Sequence, residues 1–445
     1  MCAAPRALRA LFHKECRELA ASRATLLLAV ALGPLVGHAF GTAVQAYAEA
    51  SGAAGGPAAL AQGLSPLDGF VVPTFGAYAL AAALLFPFVV IRLLSAEKES
   101  GALRLLLQAP VGVGTQLAVK AATLLAAWLL AWLPGLVALA LWRWQGGHLH
   151  AAETLAVLLG HLLRGALVVA LGALAAAVTE SAASAAVVAL AVTLGGWALD
   201  FAAQVNGGAL QAVARYTPDA ALRTFERGEV RLDVVVVVAC IAVGLLALAA
   251  AWLHPGRTRA WRIGRTGAVL ALLAVALPAA SRLRASADAS EDRRNSLAPA
   301  DARALGALRA PLRVTVHLAP EDPRLADLEG GVLRRLRRTL PALEVRHAAT
   351  TSTGLFERAG DRYGEVWYEL QGRRALQRST AEPIVLETVY GLAGIARPAP
   401  DDAPGYPGYP LRASARGGTW LLSVGWPVMV ALLWLSRRRP ARRAA

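Results

Sequence analysis

Charge is scarce in this 445-residue chain: 17% of its residues are Asp, Glu, Lys or Arg, while 56% are apolar. Soluble domains are about a quarter charged, so the deficit argues against a cytosolic enzyme. Lysine is scarcer still, with Lys14, Lys98 and Lys120 the only three among 45 basic residues. Cysteine is limited to Cys2, Cys16 and Cys240, all in or beside apolar stretches. The polar region 283–416 has none, which excludes a disulfide framework there. No Cys-x-x-Cys pair exists to hold zinc or to run dithiol chemistry. The usual catalytic signatures are missing as well. There is no Gly-x-x-x-x-Gly-Lys-Ser/Thr, no His-Glu-x-x-His and no Gly-x-Ser-x-Gly. The chain therefore has no P-loop for ATP and offers no catalytic residue. His148 and His150 with Glu153 read as solvated loop residues, not as a metal site, and no cofactor is expected.

What the chain does have is long apolar runs, each near the roughly 20 residues that cross a bilayer. They lie at 24–44, 71–94, 121–142, 154–178, 182–205, 233–253, 266–281 and 419–435. Segments 1–23, 92–120, 254–265 and 436–445 hold 18 basic residues, and the alternate loops 45–70, 143–153 and 206–232 hold 5. Basic residues collect on the cytoplasmic side, which puts both termini there and region 283–416 outside. The same distribution, with positive charge beside apolar runs, makes nucleic acid an unsuitable partner and membrane lipid the expected one. The domain plan is 1–23 as an interfacial helix, 24–254 as six spans, 255–282 as a basic loop and seventh span, 283–416 as an outer domain, 417–436 as an eighth span and 437–445 as a basic tail. Within 6–23, Leu8, Leu11, Phe12, Cys16 and Leu19 form an apolar face opposite charges, the pattern of a helix lying in the interface.

The outer region holds 20 Arg against 17 acidic residues and is long enough for its own core. Leu312–Leu318 alternates as a strand does, and 322–340 carries helical spacing. Leu343–His347 reads as a second strand, 363–370 and 373–378 as a hairpin turning at Gln371-Gly372, and 382–393 as a last helix. Residues 398–410 read as an extended linker. Arg334, Arg335, Arg337 and Arg338 read as a solvated face.

Ionisable groups inside spans are costly and so informative. His161 and Arg164, three apart in the fourth run, share a helix face that lines a substrate path or a subunit contact, or that lets Arg164 snorkel out. Glu180 and Asp200 read as boundary markers. The sharpest signal follows the second run: Ala96-Glu97-Lys98-Glu99-Ser100-Gly101-Ala102-Leu103-Arg104-Leu105-Leu106-Leu107-Gln108-Ala109-Pro110, with Lys120 opening the third run. It reads as a short cytoplasmic helix with an acidic first turn and a leucine face, ended by proline.

This segment resembles the Glu-x-Glu-x-Gly-Thr-Leu-x-x-Leu-Leu-x-x-Pro signature in permeases of type-2 ATP-binding-cassette exporters. Glu97, Glu99, Gly101, Leu103, Leu106 and Pro110 match it, Lys120 matches the basic residue of the next span, and Ala102 departs from the usual Thr. Lys14-Glu15 in the N-terminal helix and Tyr216-Thr217-Pro218 through Phe225 to Gly228 are similar to further family features. The resemblance implies that a separate ATP-binding subunit docks on the 97–110 helix and on Lys14 and Glu15. It also implies a second permease copy, or a related permease, in the bacterial inner membrane. The outer domain resembles the auxiliary subunit of gliding-motility-type systems, which implies a thioredoxin-like α/β fold; lacking cysteine, it has no redox role. The fold class expected is thus an α-helical polytopic membrane protein of about eight spans with an inserted extracytoplasmic α/β domain. A membrane receptor or scaffold acting through 283–416 is the alternative reading.

Overall fold

The computed structural model describes residues 3–53, 64–106, 111–206, 210, 213–214, 216–319, 322–340, 342–348, 362–399 and 406–438. Among them, eight helices are long and apolar enough to cross a membrane: Arg23–Ser51, Leu67–Glu99, Val113–Trp144, Ala151–Val178, Ala182–Ala203, Leu232–Leu253, Arg259–Ala280 and Arg416–Ser436. They are numbered here as spans one to eight. An N-terminal helix, Ala3–Ala21, precedes the first.

The boundaries differ from expectation where capping and charge pairing override hydropathy. The seventh span starts at Arg259 instead of 266, because the Thr258 hydroxyl accepts a hydrogen bond from Trp261 N and caps the helix there. Arg259, Arg262 and Arg265 thereby join the helix. The third span starts at Val113, so Lys120 lies two turns inside it and does not open it. The second span runs on through Glu99. Glu97, Lys98 and Glu99 thus end a span and do not begin the short helix. Gly101, at φ +76°, breaks the chain direction, and a separate helix Ala102–Leu106 follows.

Spans one to four form the centre of the bundle. Its core contains Phe40, Phe75, Tyr78, Phe86, Trp128 and Trp142, all fully buried. Spans five, seven and eight lie on the periphery. Span eight runs along span one, where Gly33, Gly37 and Gly41 leave no room for a side chain. A methyl at these positions would sit 2.5, 2.6 and 2.6 Å from Trp426, Ser423 and Thr419. Trp426 Nε1 donates to Ala29 O at 2.8 Å and pins the pair.

The outer domain has a separate core of Leu312, Val314, Val316, Leu328, Leu333, Leu336, Val366, Tyr368, Val385 and Val389. A small antiparallel ribbon joins it to the bundle, with β1 (Glu229–Arg231) paired to β2 (Ser286–Asp288). The main sheet contains β3 (Leu312–Val316), β4 (Leu343–His347), β5 (Val366–Leu370) and β6 (Arg373–Gln377) in the order β4-β3-β5-β6. β3 and β4 are parallel, while β5 is antiparallel to both β3 and β6. The β3–β4 crossover is helical over Pro323–Thr339 and widens into a π-helical turn at Glu329–Leu333. Gln371 and Gly372, at φ 51° and 80°, make the β5–β6 turn, as two-residue hairpins require. Helix Glu382–Ala393 packs on this sheet. Part of the expected linker, 400–405, lies outside the described residues. Its remainder is held tightly: Tyr47 Oη donates to Tyr409 O at 2.7 Å, and Leu411 N donates to Ser51 Oγ at 2.8 Å.

Candidate functional site

Three helices, each with one charge on an otherwise apolar stripe, converge at the end of the bundle opposite the outer domain. In the N-terminal helix, Leu8, Leu11, Glu15 and Leu19 recur at helical spacing, so Glu15 points inward and is fully buried. Lys120 shares a face with Leu117, Ala121 and Leu124, and Glu97 follows Leu93 and Leu94. Lys120 Nζ donates to Glu15 Oε1 at 2.7 Å and lies 2.9 Å from Glu97 Oε2. Lys14 Nζ reaches the other Glu97 oxygen at 2.5 Å, with Glu15 at 3.3 Å and Glu18 at 3.2 Å. Burial opposes the charge on Lys14, but the hydrogen bond and charge of Glu97 outweigh it and hold the ammonium above its ordinary range. Glu15, Glu18 and Glu97 lie close enough for a shared cation, and the two lysines already supply that charge.

The next two residues reach elsewhere. Lys98 Nζ donates to Ala176 O and Ala177 O, each at 3.3 Å, and to Thr179 O, satisfying the free carbonyls that end span four. Glu99 Oε1 accepts from Ala182 N at 3.2 Å and so caps the start of span five. Glu97-Lys98-Glu99 is therefore a hub joining span two to the N-terminal helix and to spans three, four and five. Beyond it the Ala102–Leu106 helix stands out from the bundle, with Leu105 72% exposed and Leu103 half-buried. Pro110 lies outside the described residues.

The expected docking residues thus divide. Glu15, Glu97 and Lys120 are buried among one another and position the elbow formed by Gly101 and the Ala102–Leu106 helix, whereas Leu105, not singled out from the sequence, is the exposed apolar group. The charges of 6–23 were expected opposite Leu8, Leu11 and Leu19, but Glu15 falls within that face, four residues from Leu11 and from Leu19, and is buried with it.

His161 and Arg164 are also interior, at 0% and 5% exposure. The His161 ring meets Phe75 and Tyr78 at 5.3 and 5.6 Å, and its carbonyl accepts from Trp128 Nε1 at 2.9 Å. Arg164 does not snorkel out. It binds Asp219 at 2.5 Å on helix Pro218–Glu226, which Thr217 caps and Phe225 anchors against Gly160. Asp200 is more than a boundary marker, since both its oxygens bind Arg223 of the same helix, at 2.6 and 2.7 Å.

At the opposite end, His148 and Glu153 meet one outer-domain residue. Glu291 accepts from Tyr409 Oη at 2.7 Å, lies 2.9 Å from His148 Nε2, and donates its backbone N–H to Glu153 Oε1 at 2.6 Å. Arg294 adds an ion pair to Asp68 at 2.5 Å. The arginines expected to face solvent act here too: Arg335 donates to Arg294 O at 2.8 Å, and Arg338 to Asn295 O at 2.7 Å.

No curated protein and no solved structure gives a significant match to the chain. Residues 40–222, which include the hub, the elbow and the Arg164–Asp219 pair, match the family model described as ABC-2 family transporter protein; this supports a multi-pass membrane protein with a permease of the type-2 ATP-binding-cassette class at its centre.

Proposed function

We propose that the chain is the permease subunit of an ATP-driven exporter in a bacterial cytoplasmic membrane, with both termini and the elbow in the cytoplasm. A separate ATP-binding subunit docks on the Ala102–Leu106 helix and supplies the hydrolysis; this chain performs no chemistry. The observation that carries this reading is the hub at Glu97-Lys98-Glu99. A push on the short helix is delivered through three consecutive residues to four other helices at once. Closure of the ATP-binding subunits then rearranges the spans between inward- and outward-open states. The outer domain serves as a fused binding or scaffolding module. Its strand order and mixed directions fit the thioredoxin-like fold and the gliding-motility-type auxiliary likeness.

The test uses Leu105, because Leu105→Asp alters the exposed face without touching the buried ion pairs. Co-purification of an ATP-binding subunit should fall sharply, while membrane insertion and thermal stability stay at parental levels. Full retention of both co-purification and transport would remove the elbow as the docking point.

A further inference from the structure

The strap that returns the chain from the outer domain to the membrane alternates as Leu411-Arg412-Ala413-Ser414-Ala415. Leu411, Ala413 and Ala415 pack on the bundle core, and Arg412 and Ser414 between them are exposed. Span eight then opens at Arg416, and Gly417 has open space where a side chain would stand. Between the strap, this first part of span eight and the last turn of span three lies a cavity of about 610 Å³. Leu141, Trp144, Gly417 and Leu421 wall it with apolar surface, and Arg412 and Ser414 add polar groups. No carboxylate lines it. The Arg412 guanidinium and the Ser414 hydroxyl have no hydrogen-bond or ion-pair partner among the described residues. Trp144 in the wall and Trp420 beside Leu421 are 83% and 69% exposed, near the ends of two spans, where such rings mark the headgroup level.

Water is a poor filling for walls of leucine and tryptophan, whereas an acyl chain suits them. A chain alone leaves the guanidinium unanswered. A phosphodiester answers it, since its oxygens accept two parallel N–H bonds from arginine and a third from a hydroxyl. A choline headgroup brings the same phosphate with a cation beside it, which Arg412 repels. Basic pockets between spans select anionic lipids on this ground. We propose that the groove holds one anionic glycerophospholipid of the leaflet on the outer-domain side. Its phosphate sits on Arg412 and Ser414, and an acyl chain runs along Leu141, Gly417 and Leu421. Span eight packs along span one, so the bound lipid gives it a second support against span three.

The test titrates the full chain, extracted in mild detergent and stripped of native lipid, with phosphatidylglycerol or phosphatidylcholine of identical acyl chains. Native mass spectrometry reads the bound lipid. The parental protein should bind phosphatidylglycerol about tenfold more tightly, the scale of a hydrogen bond to a charged group. Its melting temperature should rise with phosphatidylglycerol and less with phosphatidylcholine. Arg412→Gln with Ser414→Ala should bind the two lipids equally. Gly417→Leu, whose added side chain enters open space, should weaken both while the fold is kept. Arg309→Gln, an exposed arginine of the outer domain, controls for surface charge and should keep the preference. Equal affinity of the parental protein for both lipids overturns the proposal and needs no variant. So does a preference that survives Arg412→Gln with Ser414→Ala, or unchanged binding in Gly417→Leu. Inorganic phosphate bound as tightly as phosphatidylglycerol would make this a free-anion site and also overturns it. No readout here involves the ATP-binding subunit, so the permease reading stands or falls separately.

Discussion

Lys120 is one ammonium shared by two carboxylates that come from two other helices. Its replacement by Met strands Glu15 and Glu97 at the buried end of the cluster with Lys14 alone. Breaking a buried pair from one side costs about 3–5 kcal/mol, and that loss should appear as a lower melting temperature in detergent. Combining Lys120→Met with Glu15→Gln and Glu97→Gln removes the stranded charge and should recover most of the loss. A single mutant that melts with the parent would mean the cluster contributes no stability. The three residues were singled out in the sequence by the family resemblance; that each interrupts an apolar stripe shows only with the helices in place. Their mutual pairing was not, since residues 15, 97 and 120 meet only after three helices pack. Arg164 is similar: its position in the fourth run left both an interior role and snorkelling open, and Asp219, 55 residues on, could be found only in three dimensions.

Helix ends decide more of this molecule than helix middles do. Two acidic side chains at the carboxyl end of span two sit at the unfavourable pole of its dipole, and sequence reading therefore assigns them to the start of the next helix. Both are stabilised by partners from outside the span: Glu97 by lysines, Glu99 by the amide that opens span five. Gly101 makes the bend. Gly101→Ala should cost about 1–2 kcal/mol for a left-handed backbone and weaken ATP-binding-subunit co-purification, although open space surrounds the added methyl. Unaltered co-purification would show that elbow direction is unimportant. A second cap carries a pH dependence. The Arg324 side chain and backbone N–H bind Asp322 at the head of the β3–β4 crossover and hold its carboxyl at about 2. A depressed carboxylate stabilises the fold above its usual range and loses that contribution as pH falls. The outer domain should therefore melt earlier as pH drops from about 4 towards 2, and Asp322→Asn should flatten that slope. An unchanged slope in Asp322→Asn would place the acid response elsewhere. The strands and hairpin were legible from alternation and from Gln371-Gly372, whereas the π-helical widening at Glu329–Leu333 leaves no comparable mark in the spacing.

For the molecule as a whole, the count of basic residues sets a direction that a labelling experiment can check. With the native cysteines removed, a membrane-impermeant thiol reagent added to spheroplasts should label Ser296→Cys and miss Ser100→Cys. Labelling of position 100 alone would invert the protein. The count of eight spans was legible because hydropathy is a local property. The attachment of the outer domain was not, because Glu291, Tyr409 and the His148–Glu153 loop come from three separate stretches. The glycine-lined side of span one has a consequence in time. Its occupant, Leu422 to Trp426, follows the other seven spans and the outer domain in the chain, so the groove beside Gly33, Gly37 and Gly41 stays empty while all of them are being made. The first span is completed by the eighth. A chain cut short before residue 416 would carry an open, close-packing seam along its first span, and quality-control proteases would meet it as an incomplete product even with the other seven spans in place.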